Sequence, residues 1–264
     1  MMLKVLATDL DGTLIPLDGN PDNPPDLKRL EQFLAQHHLE LLFVTGRHFQ
    51  SVQDAIGQHG LPQPDWMICD VGTTLMHRED GQPLKVVQAY HDQLAGRIES
   101  LPIAELSDRL KGVAGLRKQE LEKQGPFKLS YYTDAARIEA IAEEIQLRLE
   151  AWSAPYSIIS SVDPFNNDGL VDLLPSGVSK AFALSWWADH TQITHDAILF
   201  AGDSGNDLAA LTAGYRTIVV SNAADALIRQ VSESHRIADW DARLFVATKQ
   251  ATSGVLEGLR HFVR

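Results

Sequence analysis

The chain has 264 residues, 44% of them hydrophobic, enough to bury a sizeable core in one large domain plus a smaller one. Acidic residues number 35 against 23 basic, a net charge of −12; no basic field is present to hold a phosphate backbone, so nucleic acid is not an expected partner. The single cysteine precludes an internal disulfide, as in a reducing compartment, and no apolar run reaches the roughly 20 residues that span a bilayer.

The N-terminus leads directly into an apolar run, Leu3 to Ala7, rather than into a leader, so a cytoplasmic location without a membrane partner is expected. That run reads as a short buried strand, broken at Gly12. Within Thr8-Asp9-Leu10-Asp11-Gly12-Thr13-Leu14 two carboxylates therefore stand two positions apart where a strand ends. Side chains two apart on a strand point the same way, and crevices in open α/β sheets lie at the carboxyl ends of strands. Like charges held so close are costly unless a cation or a shared proton relieves them. Residues 16–25 have loop composition, after which Asp26 is expected to cap a helix to about His37, with Leu27, Leu30, Phe33 and Leu34 on one face. Leu39 to Val44 reads as a strand ending at Thr45-Gly46-Arg47, Ser51 to Gln58 as a helix, and Trp66 to Cys69 as a strand leading into Asp70-Val71-Gly72-Thr73-Thr74. This alternation predicts a Rossmann-like, doubly wound parallel sheet of the α/β class.

The pattern then changes. Residues 85–125 are polar and mostly helical in character, with Leu94, Ile98 and Leu101 as an apolar stripe. Phe127 to Thr133 alternates as a strand with Lys128, Ser130 and Tyr132 on its polar face. Asp134 is expected to cap a helix from Ala135 to about Trp152, and strands follow at Pro155–Val162 and Gly169–Leu174 around a polar loop bearing Asp163, Asn166, Asn167 and Asp168. Residues 85–175 thus read as an inserted α+β unit within a core formed by 1–84 and 176–264. The doubly wound pattern resumes at Ser179 with a helix through Ala181, Leu184 and Trp187, then a strand at Ala197–Ala201 ending in Gly202-Asp203-Ser204-Gly205-Asn206-Asp207 and a helix to Ala213. A strand at Thr217–Val220, a helix at Ala223–Val231 and an amphipathic closing helix at Val255–Phe262 complete the chain.

The polar residues at the crevice end suit phosphoryl transfer. Asp9 is the candidate nucleophile. Asp11 is the candidate general acid and then base, a function typically worth about 10²–10⁴-fold. Thr45 and the Gly46 amide are placed to donate to phosphate oxygens at the start of a helix. Lys180 opens a helix, where the dipole disfavours a cation; it would neutralise substrate phosphate and Asp9. Asp203 and Asp207 in a glycine-rich turn suit a hard cation such as Mg²⁺. The expected metal set is Asp9, Asp11, Asp203 and Asp207, and the expected substrate-binding set Thr45, Gly46, Lys180 and Asn206.

These four stretches, Asp9–Leu14, Thr45–Arg47, Lys180 and Gly202–Asp207, resemble the four motifs of the haloacid dehalogenase (HAD) superfamily of aspartyl-phosphate hydrolases. The resemblance implies a Rossmann-like core, Mg²⁺ and attack by the first aspartate. The insertion resembles the α+β cap of the subgroup that includes sucrose-phosphate phosphatases and phosphomannomutases. Cys69–Thr73, Lys128–Tyr132, Val171–Pro175 and Ala251–Leu259 look most like sucrose-phosphate phosphatase. That family usually has Ser where Asp70 stands, and its tails often read Ala-x-Gly-Ile. The expected substrate is therefore a phosphorylated disaccharide, sucrose 6-phosphate foremost, with mannosylfructose phosphate, another glycosyl phosphate or a mutase reaction as alternatives. A glycosyl-phosphate synthase is a candidate partner. On physical grounds a disaccharide needs hydroxyl-reading groups on a lid that excludes water; the 163–168 loop, Lys128 and Tyr132 offer such groups.

Overall fold

The computed structural model describes residues 2–79, 82–162 and 168–263. The chain divides into two units, Met1–Val86 with Lys180–Arg264, and Val87–Ser179.

In the larger unit β1 (Val5–Thr8) is wholly buried and is followed by a tight turn over Leu10–Leu14. Helix α1 spans Asn23–His37, starting three residues before the expected cap. Pro24 and Pro25 fit its first turn because the amides they lack have no partner there. Asp26 lies inside that turn and pairs with Arg29 at 2.7 Å. Next come β2 (Glu40–Val44), α2 (Phe49–His59), capped by the His48 side chain, and β3 (Trp66–Cys69). The chain then reverses into β4 (Thr74–His77) and β5 (Lys85–Val86), an antiparallel edge that the sequence pattern does not predict. The reversal passes through two left-handed non-glycine residues, Asp70 and Val71 (φ +53° and +60°), a region Asp tolerates but a β-branched Val rarely enters.

The smaller unit holds α3 (Gln88–Arg97), α4 (Ile103–Leu110), β6 (Arg117–Lys118), β7 (Leu129–Asp134), α5 (Ile138–Ala151), β8 (Tyr156–Val162) and β9 (Asp168–Pro175). Its antiparallel sheet has the order β6-β7-β9-β8. Asp134 caps the short turn leading into α5, whose Ile141, Ile145 and Leu149 are buried. The expected polar face of β7 is less open than its pattern suggests: Lys128 and Ser130 are buried and Tyr132 half-buried. Ser130 donates its hydroxyl to Asp172 across the sheet, and Tyr132 accepts from Lys123 at 2.6 Å. Asp163, Asn166 and Asn167 lie outside the described residues; Asp168 opens β9.

The larger unit resumes with α6 (Lys180–Thr191), β10 (Ile198–Gly202), α7 (Leu208–Leu211), β11 (Arg216–Val219), α8 (Asp225–Ile237), β12 (Leu244–Val246) and α9 (Ala251–Phe262). Its sheet has the order β12-β11-β10-β1-β2-β3-β4-β5, parallel from β12 to β3. Strands buried on both faces read as unbroken apolar runs, and this is why β1, β2 and β10 are legible. Leu6, Leu41, Phe43, Met67 and Leu199 face α1, α2 and α9, supplied by Leu30, Val52 and Val255. On the opposite face α6 packs on β3, α7 on β10 and α8 on β12. Trp187 of α6 is fully buried and meets Trp66 edge-on at 5.9 Å.

Candidate active site

The order of the strands assembles the site. β1 lies between β2 and β10, with Thr8 level with Phe43 on one side and Ala201 on the other. Asp9 is the next residue after Thr8, while Thr45 and Asp203 are each two beyond those partners, so all three emerge at one end of adjacent parallel strands. The sequence reverses direction across the sheet here, the place where open α/β sheets form crevices.

Lys180 enters from the start of α6 and is 1% exposed. Its ammonium donates to Asp9 Oδ1, Asn206 Oδ1 and Asp207 Oδ1, each at 2.8 Å. These three bonds use its three donors and explain a lysine where the helix dipole disfavours one. Burial alone would lower the Lys180 pKa, but the Asp207 and Asp9 carboxylates outweigh it and raise it. Asp207 is fully buried and organises the turn. Its Oδ2 accepts from the Asp203 and Ser204 amides at 3.2 Å, and its Oδ1 holds Lys180. Gly202 makes room for it: a Cβ there would lie 2.8 Å from Asp207 Cγ.

Oxygens of Asp9, Asp203 and Asp207 lie within 4.8 Å of one another. Three carboxylates face one ammonium, so negative charge is left over. Burial first, and the Asp207 charge next, push the Asp9 carboxyl up to about 8 against the pull of Lys180. Burial and Asp207 likewise push Asp203 up to about 6, opposed by the Thr13 hydroxyl that donates to Asp203 Oδ1 at 2.9 Å. An all-oxygen donor set carrying excess negative charge fits a hard divalent cation.

Asp11 stands outside this cluster. Its carboxylate is 47% exposed and takes a two-pronged ion pair from Arg47, with Nε to Oδ2 at 2.7 Å and Nη2 to Oδ1 at 2.6 Å. Arg47 is steadied in turn by Ser51 Oγ at 2.9 Å. Thr45 is buried; its hydroxyl oxygen accepts from Arg47 N at 3.2 Å, which leaves the hydroxyl proton free to donate elsewhere. Gly46 is half-buried beside it. Asn206 is exposed, holding Lys180 and accepting from Ser204 Oγ at 3.0 Å.

Gly12 is the tightest point of the site. Its φ of +74° suits glycine, and a Cβ would fall 2.3 Å from Asp203 Oδ2. Gly12→Ala therefore adds left-handed strain of about 1–2 kcal/mol and displaces Asp203. We expect phosphoryl transfer at this site to fall at least about 100-fold with only a modest drop in melting temperature, measured by phosphate release and thermal melting. Near-normal turnover would show that the Gly12–Asp203 approach is dispensable.

The sequence pattern gives no role to Asn222, yet it donates to the Gly12 carbonyl at 2.8 Å. The available signal is its place just beyond buried β11, at the same end of the sheet as Asp9 and Asp203.

Comparison with known proteins follows this geometry. The profile of the sucrose-6F-phosphate phosphohydrolase family matches residues 2–263. The chain belongs to that family. It is a HAD-type phosphatase, a phosphoric monoester hydrolase. Mannosylfructose-phosphate phosphatase of Agrobacterium fabrum is 31% identical over 98% of this chain and 97% of its own. Glucosylglycerol-phosphate synthase of Pseudomonas anguilliseptica is 29% identical over 98% of this chain, which spans 30% of that longer protein. The structure of sucrose-phosphatase from Synechocystis sp. PCC6803, solved with sucrose and phosphate, superposes with a TM-score of 0.75 at 25% identity, covering 99% of this chain and 98% of that one. Among the described residues, no helix is long and apolar enough to cross a membrane.

Proposed function

We propose that this phosphatase hydrolyses a phosphorylated disaccharide, sucrose 6-phosphate foremost, with Mg²⁺ and through a phosphoaspartyl intermediate on Asp9. The observation that carries the reading is the buried Lys180, which binds one oxygen of Asp9 while Asp203 and Asp207 stand alongside. Lys180 fixes Oδ1 of Asp9, and Oδ2 attacks phosphorus as the bond to the sugar oxygen breaks. Asp11 gives its proton to that departing oxygen, then takes one from the water that attacks the phosphoaspartate, releasing phosphate and restoring Asp9. Arg47 occupies both Asp11 oxygens, so one of its two bonds yields during proton transfer. The Thr45 hydroxyl and the Gly46 amide hold the phosphate oxygens; Lys180, whose three donors are taken by Asp9, Asn206 and Asp207, joins them when its bond to the exposed Asn206 yields. Asp9 and Asp203 would hold Mg²⁺, with Asp207 nearby; when bound, the ion offsets charge on the transferring phosphoryl group. Asp11, turned to Arg47, is the weakest candidate among the expected ligands.

Residues 87–179 are proposed as the specificity unit. A cytoplasmic site of action accords with the lone buried Cys69. A glycosyl-phosphate synthase as upstream partner is supported by the Pseudomonas relative. A second substrate, mannosylfructose phosphate, is favoured by the full-length Agrobacterium relative. Phosphate release from both esters, glucosylglycerol phosphate and simple hexose phosphates should give the highest kcat/KM for one of the two disaccharides. A preference for hexose monophosphates would overturn the disaccharide reading.

The charge left over in the site also sets a pH dependence. Native Asp9 and Asp203 keep protons that the unfolded chain, with carboxyls near 3.8, has already released. Stability of the metal-free protein therefore falls as pH rises from about 4 to about 8. Mg²⁺ competes with those protons, so it should raise the melting temperature more at pH 8 than at pH 5. Equal shifts at both values would place the ion elsewhere.

A further inference from the structure

Asn222 uses its amide twice. Nδ2 donates to the Gly12 carbonyl at 2.8 Å, and Oδ1 accepts from the Ala251 amide at 2.8 Å. The first bond reaches the turn that carries Asp9 and Asp11. The second reaches the first residue of α9, an alanine with φ of +44°, a conformation that costs alanine about 1–2 kcal/mol and needs holding. Residues 210 and 29 positions away are thus tied through one side chain.

The Gly12 carbonyl is no neutral anchor point. Gly12 lies against the Asp203 carboxylate so closely that a Cβ would sit 2.3 Å from its Oδ2. Thr13, the next residue, donates to Asp203 Oδ1 at 2.9 Å. The Gly12–Thr13 peptide is therefore the seat of Asp203, and Asp11 directly precedes it. Glycine lets this peptide rotate at little cost, so something outside the turn has to fix it. Thr252 Oγ1 secures the far end of the turn, donating to the Leu14 carbonyl at 2.6 Å; at Gly12 the Asn222 amide does so.

We propose that Asn222 is a positioning residue for phosphoryl transfer. By holding the Gly12 carbonyl it sets where Asp203 and Asp11 stand relative to Asp9, and through them the affinity of the carboxylate cluster for its divalent cation. The proposal rests on the roles assigned to Asp9, Asp11 and Asp203 above. Partners that orient ligands in this way typically change metal affinity or activity about 10–100-fold when removed.

Two variants of the full chain separate this role from simple tethering of α9. Asn222→Asp keeps an acceptor for the Ala251 amide but cannot donate to Gly12 and repels its carbonyl. Asn222→Ala loses both bonds. The measurements are the melting temperature in EDTA, its rise on adding Mg²⁺, and Mg²⁺-dependent hydrolysis of p-nitrophenyl phosphate. For Asn222→Asp we expect a melting temperature in EDTA within about 2 °C of the parent. We also expect a smaller Mg²⁺-induced rise, at least about tenfold more Mg²⁺ for half-maximal rate and a similar loss in kcat, with KM little changed. Asn222→Ala should add a lower melting temperature to the same losses. Parental Mg²⁺ dependence in Asn222→Asp, or activity lost only in step with the folded fraction, overturns the proposal. Asp9→Asn in the same assay keeps the two readings apart. If it turns over, the site assignment fails whatever Asn222 does; if it is inactive while Asn222→Asp is normal, only the role of Asn222 falls.

Discussion

Asp9→Asn is expected to lose phosphate release by about 10⁴-fold or more while melting at a higher temperature than the parent in metal-free buffer at pH 8. Loss of activity follows from the loss of the attacking oxygen: an amide is a far poorer nucleophile, and the groups around it cannot make one. The gain in stability follows from the surroundings. Asp9 is 4% exposed and shares its ion-pair partner, Lys180, with Asp207. The amide oxygen of Asn still accepts from Lys180, and the remaining Asp207–Lys180 pair is balanced one to one. The difference should shrink as pH falls and vanish only near pH 4, where the unfolded carboxyl, at its ordinary 3.8, keeps its proton as the folded one, raised to about 8, already does. Melting curves at the two pH values with phosphate release at pH 7 test both parts. Retained turnover would remove Asp9 as nucleophile. A variant less stable at pH 8 would show that Lys180 alone neutralises both carboxylates.

What could be read in the sequence of this site, and what could not, divides along a physical line. Asp9, Thr45 and Asp203 each end a buried strand, and parallel strands covered on both faces must be continuously apolar, so the first polar residue marks the crevice end. Val5-Leu6-Ala7, Leu41–Val44 and Ile198–Ala201 announce themselves in this way. Lys180 was legible as an oddity, a cation at a helix start. Elements too short to show a period were not: β5 has two residues and β12 three. The reversal at Asp70–Val71 was hidden because a β-branched Val rarely enters the left-handed region it adopts there (φ +60°). The burial of Lys128 and Ser130 was equally hidden, since alternation tells which face a side chain takes but not what covers that face. Asn222 was out of reach for a related reason. An asparagine after a strand is ordinary turn chemistry, and only folding brings Gly12 to it.

Lys180→Met is the complementary case, and it should lose both activity and stability. The variant leaves Asp9 and Asp207 buried without their ammonium partner, and Asn206 with Ser204 Oγ in place of two donors. Breaking a buried ion pair from one side costs about 3–5 kcal/mol. At roughly 2–4 °C per kcal/mol for a chain of this size, the melting temperature in EDTA should drop by about 10 °C. The drop should be largest at alkaline pH and shrink as Asp9, whose carboxyl is already raised by burial to about 8, takes up its proton, opposite in sign to the effect of Asp9→Asn. Phosphate release should fall at least about 10³-fold, because the charge on the transferring phosphoryl loses a preorganised ammonium. The double variant Lys180→Met/Asp207→Asn separates the two roles. Removing the second uncompensated carboxylate should return most of the lost stability and none of the activity. If the double variant instead regained turnover, Lys180 would be a structural cation only. If the single variant melted like the parent, the three 2.8 Å bonds from its ammonium would not be what holds this end of the sheet together.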